Sequence, residues 1–254
     1  IRDRSVSRGL GDVYKRQEGY KMLRKIDSRN MGSSNLGWLK SKFHFSFAEY
    51  YNPNNIRFGA LRVINDDLIE PDTGFDTHPH RDMEIISYVV NGELTHGDNM
   101  GNKNTINRGH VQYMSAGTGV YHSEHNLGKD QLRLLQIWIF PDKQMYKPNY
   151  GDYRFNWADR KNKWLHMISS KDGDAQIKIN QDINIYSLEL DKGKEIDFQI
   201  TKGRQAYLVQ IEGSSIINNI ELNDRDGMEI TEEDILIKAK ESSHILILEM
   251  KKEN

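Results

Sequence analysis

The sequence predicts an all-β protein built from two stacked antiparallel β-barrel modules. Short alternating or β-branched runs punctuated by Gly, Asn and Asp recur along its length, the signature of strands joined by turns. No stretch carries a helical period long enough for a convincing amphipathic helix. The second half also repeats the shape of the first. Tyr88-Val-Val-Asn-Gly92-Glu-Leu and Val209-Gln-Ile-Glu-Gly213-Ser-Ser share a strand–glycine turn–strand pattern. Each is followed at similar distance by a glycine opening another strand, at Gly109 and Gly227.

In chain order, residues 1–21 are expected to be a non-native or disordered leader. They are Arg-rich, lack Met at the start and show no hydrophobic period, and a native start is expected near Met22. Residues 22–155 form the first module. Within it, Asn91-Gly92 between Ile85–Val90 and Glu93–His96 predicts a type I′ hairpin, since both turn residues tolerate positive φ. Pro141, Pro148 and the aromatic-rich stretch Tyr146–Trp164 predict an ordered connector. Residues 156–254 form the second module.

Composition excludes several function classes. With a net charge of −2 the chain has no electrostatic footprint for nucleic acid. It has no cysteine, which rules out disulfides, thiolate catalysis and zinc–thiolate sites. Its longest apolar runs, such as Ile85–Val90 and Ile245–Met250, are too short to span a bilayer. A cytoplasmic location with no membrane contact is expected.

The chemistry concentrates in Gly74-Phe-Asp-Thr-His78-Pro-His80-Arg-Asp-Met-Glu84 and His122-Ser-Glu124-His125-Asn126. Each carries a pair of metal-ligand residues at i and i+2 in a predicted strand, where such side chains share a face. Two facing pairs can close around one ion with three imidazoles and a carboxylate. That donor set suits Fe, Mn, Ni, Cu or Zn and disfavours the oxygen-seeking Ca and Mg. Glu84 shares strand parity with His78 and His80. It reads as a fifth ligand, a solvated strand residue or, preferably, a partner for a ligating histidine. His96 and Asp98 read as pocket-lining or as half-exposed strand polars. His110 and His125 break the parity, Gln136 can face the cavity, and Trp138 reads as core. Seven of the nine histidines lie between His44 and His125. In the second half the positions matching the ligands fall near Gln199, Thr201, Lys240 and Ser242, which offer no metal site.

These residues resemble the cupin superfamily and, within it, the pirin family. The first cupin motif is matched by Gly74, His78, His80, Glu84 and Gly92, and the second by Gly109, Gly117, His122 and Asn126. Ser115 replaces the usual proline and the spacing from turn to histidine is longer, departures that are themselves pirin-like. Gly37-Trp38, Phe45-Ser-Phe-Ala, Leu61-Arg-Val-Ile-Asn-Asp-Asp67, Met100-Gly-Asn and Met114-Ser-Ala-Gly-Thr-Gly119 also resemble bacterial pirin-like proteins. The likeness is strong through Phe140 and thin beyond it. It implies a bicupin whose N-terminal cupin (22–155) holds iron through His78, His80, His122 and Glu124, and whose C-terminal cupin is metal-free.

The resemblance further implies an iron-dependent quercetin 2,3-dioxygenase that opens a flavonol with O2 and releases carbon monoxide. One divalent ion, Fe(II) with Mn, Ni, Cu or Zn as alternatives, would be its cofactor. Four protein ligands on an octahedral ion leave two open positions. Glu124 or Glu84 would take the flavonol proton. The alternative is a non-enzymatic, iron-binding redox sensor that regulates a protein partner, as implied by the eukaryotic branch of the family. A third reading is a zinc-stabilised scaffold with a closed tetrahedral site.

Overall fold

The computed structural model describes residues 22–253, together with the backbone of a short strand at Val13–Lys15. That strand pairs with Met22–Ile26. The remainder of the expected leader lies outside the described residues. Apart from two 3₁₀ turns, Ser28–Asn30 and Trp157–Arg160, the regular elements among the described residues are all strands. No helix is long and apolar enough to cross a membrane.

The strands form four sheets, of seven, four, eight and four strands. In the first module a seven-stranded sheet is faced by the four strands Thr73–His80, Val120–Asn126, Glu93–Asp98 and Lys103–Asn107. In the second, an eight-stranded sheet is faced by Glu195–Phe198, Ile235–Ala239, Ser215–Ile217 and Ile220–Leu222. The two four-stranded sheets share one strand order, and so do the four central strands of the large sheets, so the repeat seen in the sequence is a repeat of topology. The large sheets stack on each other. One apolar cluster joins Ile64, Ile86 and Tyr88 of the first module to Ile185, Tyr207 and Leu248 of the second.

This stacking explains why Glu84–Asn91 is buried along nearly its whole length. Ile86, Tyr88 and Val90 pack into the interface between the modules, whereas Ile85 and Val89 belong to clusters inside the first barrel. A strand covered on both faces loses the polar alternation of a half-exposed one. Two reciprocal hydrogen bonds cross the junction: His44 Nδ1 with Tyr207 OH at 2.9 Å, and His244 Nε2 with Tyr88 OH at 2.7 Å. The guanidinium of fully buried Arg160, on the connector, donates to Tyr88 OH and to the Gly109 carbonyl.

Two expectations need correction. Asn91-Gly92 is not a hairpin turn. Glu84–Asn91 pairs with Val111–Ser115 and Leu132–Ile139, while Glu93–Asp98 pairs with Val120–Asn126 and Lys103–Asn107. The dipeptide is a corner at which the chain changes sheets. Gly92 takes φ +76° there, and a Cβ would stand 2.9 Å from Leu132 Cα. Asn91 is not among the residues with positive φ, which a type I′ turn demands. The second correction concerns the partition. Met22–Ile26, expected in the first module, pairs with Gly227–Thr231 and so belongs to the second module's sheet. Asn149–Tyr153 is the last strand of the first sheet, and Leu165–Ser170 opens the next.

Candidate metal centre

The two histidine-bearing strands lie side by side. Thr73–His80 and Val120–Asn126 pair antiparallel, with His122 opposite His78 and Val120 opposite His80. Between His122 and Glu124 the register slips by one residue on the partner strand, a β-bulge. The bulge resets the strand's alternation. Phe75 therefore faces the same interior as His78 and His80, although it is an odd number of residues from both. On the other strand His122 and Glu124 keep the i, i+2 relation and also face inward, each 2 % exposed.

The three imidazoles converge. One ligand atom from each of His78, His80 and His122 lies within 4.8 Å of the others. The donor set passes a test on its own atoms. Both ring nitrogens of His122 are buried without a hydrogen-bond partner, an arrangement costly unless something else binds there. His78 Nδ1 lies 2.7 Å from the Asp76 carbonyl oxygen. A carbonyl only accepts, so Nδ1 carries the proton and the Nε2 lone pair is free for an ion. Burial first, then the neighbouring imidazoles, pushes His80 down to about 4 and His122 down to about 3. Both are thus neutral at pH 7, the form that ligates.

Glu124 lines the same cavity but stands outside that close group. Its Oε1 accepts from Ser87 Oγ at 2.7 Å and Gln112 Nε2 at 2.6 Å, and its Oε2 from Gln136 Nε2 at 2.8 Å. These donors form one row across the large sheet: Asn65 pairs with Gln136, Gln136 with Ser87, and Ser87 with Gln112. The sequence reading named only Gln136 from this row. Ser87 and Gln112 were visible as polar interruptions in strands otherwise rich in Ile, Val and Met. Their common target is a matter of register between distant segments.

Glu84 is placed elsewhere. The chain turns at Asp82, with φ 46°, and Glu84 starts a strand in the other sheet, so its parity with His78 and His80 is lost. Its Oε1 accepts from Ser115 Oγ at 2.7 Å and Asn180 Nδ2 at 3.0 Å, tying the two modules together outside the cavity. The readings of Glu84 as ligand, as partner of a ligating histidine and as catalytic base fall with that placement.

His96 and Asp98 are fully buried side chains joined by a 2.9 Å contact, not half-exposed polars. The His96 ring stacks on Tyr150 at 4.3 Å and sits 5.5 Å from that of His122. His110 and His125 lie outside the group. Trp138, expected in the core, packs against the cluster of Ile85, Met114 and Val120 and has a second role. It lines the cavity, edge-on to His80 with ring centroids 5.0 Å apart. The cavity holds about 310 Å³, with Phe43, Phe47, Phe75 and Trp138 as aromatic walls. That volume is at the lower end of small-molecule sites, on the order of 300 to 1,000 Å³.

Comparison with known proteins agrees with this arrangement. The pirin family model matches residues 24–139, and the model of the quercetinase C-terminal cupin domain matches residues 166–250. Quercetin 2,3-dioxygenase of Escherichia coli K12 is 42% identical over 231 residues, covering 90% of this chain and 97% of that protein. A pirin-like protein of Caulobacter vibrioides is 44% identical over 222 residues, covering 86% and 95%. The crystal structure of YhhW from Escherichia coli superposes with a TM-score of 0.87 at 38% identity, covering 92% of this chain and 99% of that one. The same bacterial pirin solved with nickel(II) gives 0.86, also at 38% identity, covering 91% and 100%. With a bicupin fold, a histidine cluster able to hold one metal ion and this degree of likeness along most of its length, the chain belongs to the pirin family.

Proposed function

We propose that the protein is a metal-dependent dioxygenase, with iron held by His78, His80, His122 and Glu124, that opens a flavonol-type ring with O2. The observation carrying this reading is three imidazoles converging within 4.8 Å beside a cavity with aromatic walls. The name of the Escherichia coli relative, quercetin 2,3-dioxygenase, supports the substrate class. A closed structural zinc site is disfavoured, because His78 and His80 are only partly buried and the cavity gives a guest access to them.

A bound ion would supply Lewis-acid activation of the substrate's enolic oxygen and a route for electrons to O2. The chain's own groups do the rest. Phe43, Phe47, Phe75 and Trp138 hold flat rings and limit water around the reacting carbons. Glu124, kept in one orientation by Ser87, Gln112 and Gln136, accepts the flavonol hydroxyl proton. Two ring carbon–carbon bonds break, both atoms of O2 enter the product, and the carbon between those bonds leaves as carbon monoxide. The test is anaerobic reconstitution with Fe(II), followed by addition of quercetin and O2 with carbon monoxide detection. Stoichiometric carbon monoxide is expected. Absence of turnover in protein loaded with Fe, Mn, Ni or Cu defeats the reading.

A further inference from the structure

Asp66 and Asp67 are neighbours on the strand Leu61–Ile69 and point to opposite faces. Asp66 faces the module junction, where Arg133 donates to both its oxygens at 3.0 and 2.7 Å and Arg225 approaches at 3.5 Å. Asp67 faces the cavity that holds the histidines. It is 3 % exposed, and among the described residues no cation pairs with it. The Ser41 hydroxyl bonds its carboxyl group, and Oδ1 is left buried without a partner.

Two more acceptors share that condition. Asn65, two residues before Asp67 on the same face, has a buried Oδ1 with no partner, and so does Gln136 at Oε1. The orientation of the Gln136 amide follows from its neighbour: Glu124 only accepts, so Nε2 points to it and Oε1 is the free atom. All three residues line the one cavity. Buried acceptors without donors are costly, and none of these three oxygens contributes a bond to the fold. The Glu124 carboxylate in the same space adds no donor, and the indole N–H of Trp138, on the same wall, is itself buried without a partner and bonds none of the three. Burial also pushes the Asp67 carboxyl up to about 7, as expected for a group lacking a counter-charge.

We propose that Asp67, with Asn65 and Gln136, forms an acceptor subsite that takes a second hydroxyl of the bound aromatic, selecting ring-hydroxylated substrates over analogues lacking that group. The inference rests on the reading of the cavity as a flavonol site and adds the residues that discriminate among flavonols. A site built to hydrogen-bond a hydroxyl rejects the analogue without it, because its own buried acceptors are then left unpaired.

The experiment is calorimetric titration of nickel(II)-loaded protein under argon with two probes, quercetin and 3-hydroxyflavone, so that binding is read apart from turnover. Both present the same hydroxyl–carbonyl pair to a metal, and only quercetin carries further hydroxyls. The wild-type protein should bind quercetin on the order of tenfold or more tightly than 3-hydroxyflavone. Asp67→Leu should bring that ratio close to one, and Asp67→Asn, which keeps one acceptor oxygen, should give an intermediate ratio. Should the Leu variant fail to fold, the Asn variant decides alone, an unchanged ratio counting against the proposal. A wild-type ratio near one, or a ratio that survives Asp67→Leu, overturns the subsite and leaves the flavonol reading standing. Failure of both probes to bind the wild-type protein overturns both.

Discussion

The two modules share a topology and differ in what fills it. Where Thr73–His80 and Val120–Asn126 line up three histidines and a glutamate, the corresponding pair Glu195–Phe198 and Ile235–Ala239 buries Ile235 and Ile237 and packs the half-buried Ile196 and Phe198 against them. Where the first large sheet carries the row Asn65, Gln136, Ser87 and Gln112, the second carries Tyr186, Ile247, Leu208 and Met228. Gln199, Thr201, Lys240 and Ser242, expected from the sequence to stand opposite the ligands, fall just past the ends of these strands. The interior at the matching place is packed with aliphatic side chains, among them Leu208, Met228, Ile235 and Ile237. One architecture thus serves as a cavity in one half and as a core in the other, with chemistry added by side chains.

The sharpest way to break this contrast is His122→Ala. It should abolish stoichiometric metal binding, measured by elemental analysis, while the far-ultraviolet circular dichroism spectrum stays unchanged, because the second barrel and the interface core remain intact. Metal retained at one equivalent would place the ion elsewhere. The converse substitution, Leu208→Ala in the second module, should cost about 2–5 kcal/mol in urea denaturation and leave metal content unaltered. A loss of metal in that folded variant would show that the two interiors are not independent.

A smaller effect is expected from Gln112→Leu, which removes one donor from Glu124. Metal affinity measured by competition with a chelator should fall by roughly 10- to 100-fold, the usual consequence of losing a hydrogen bond behind a ligand. No change would mean that Glu124 does not serve the ion.

The last prediction concerns the junction, which both modules share. Burial pushes His44 and His244 down to about 4, against about 6.5 in the unfolded chain. Between those values the unfolded state binds protons that the native state refuses, so stability is present above about 6.5 and is lost as the pH falls toward 4. Each histidine contributes about 1.4 kcal/mol per pH unit across that window. Urea melts at pH 7 and pH 5 should show the loss, and His44→Gln should reduce it. Equal stability at both pH values would mean that neither ring is held neutral.

The all-β class and the side-by-side placing of His78 with His80, and of His122 with Glu124, were legible because they depend on local geometry. Alternation along a strand puts His78 with His80, and His122 with Glu124, on one face whatever lies around them. The same rule failed at Glu84, where a single left-handed residue, Asp82, hands the chain to another sheet and ends the alternation.

The amino-acid sequence by itself determined the strands, the repeat and the residues able to hold a metal, since periodicity and residue chemistry operate within a few positions of one another. Tertiary structure alone decided that Asn91-Gly92 turns a corner, that Met22–Ile26 joins the second module, and that Ser87, Gln112 and Gln136 meet on one carboxylate. Those outcomes depend on which strands pair and in what register, and pairing is settled by the burial of whole faces between segments far apart in the chain.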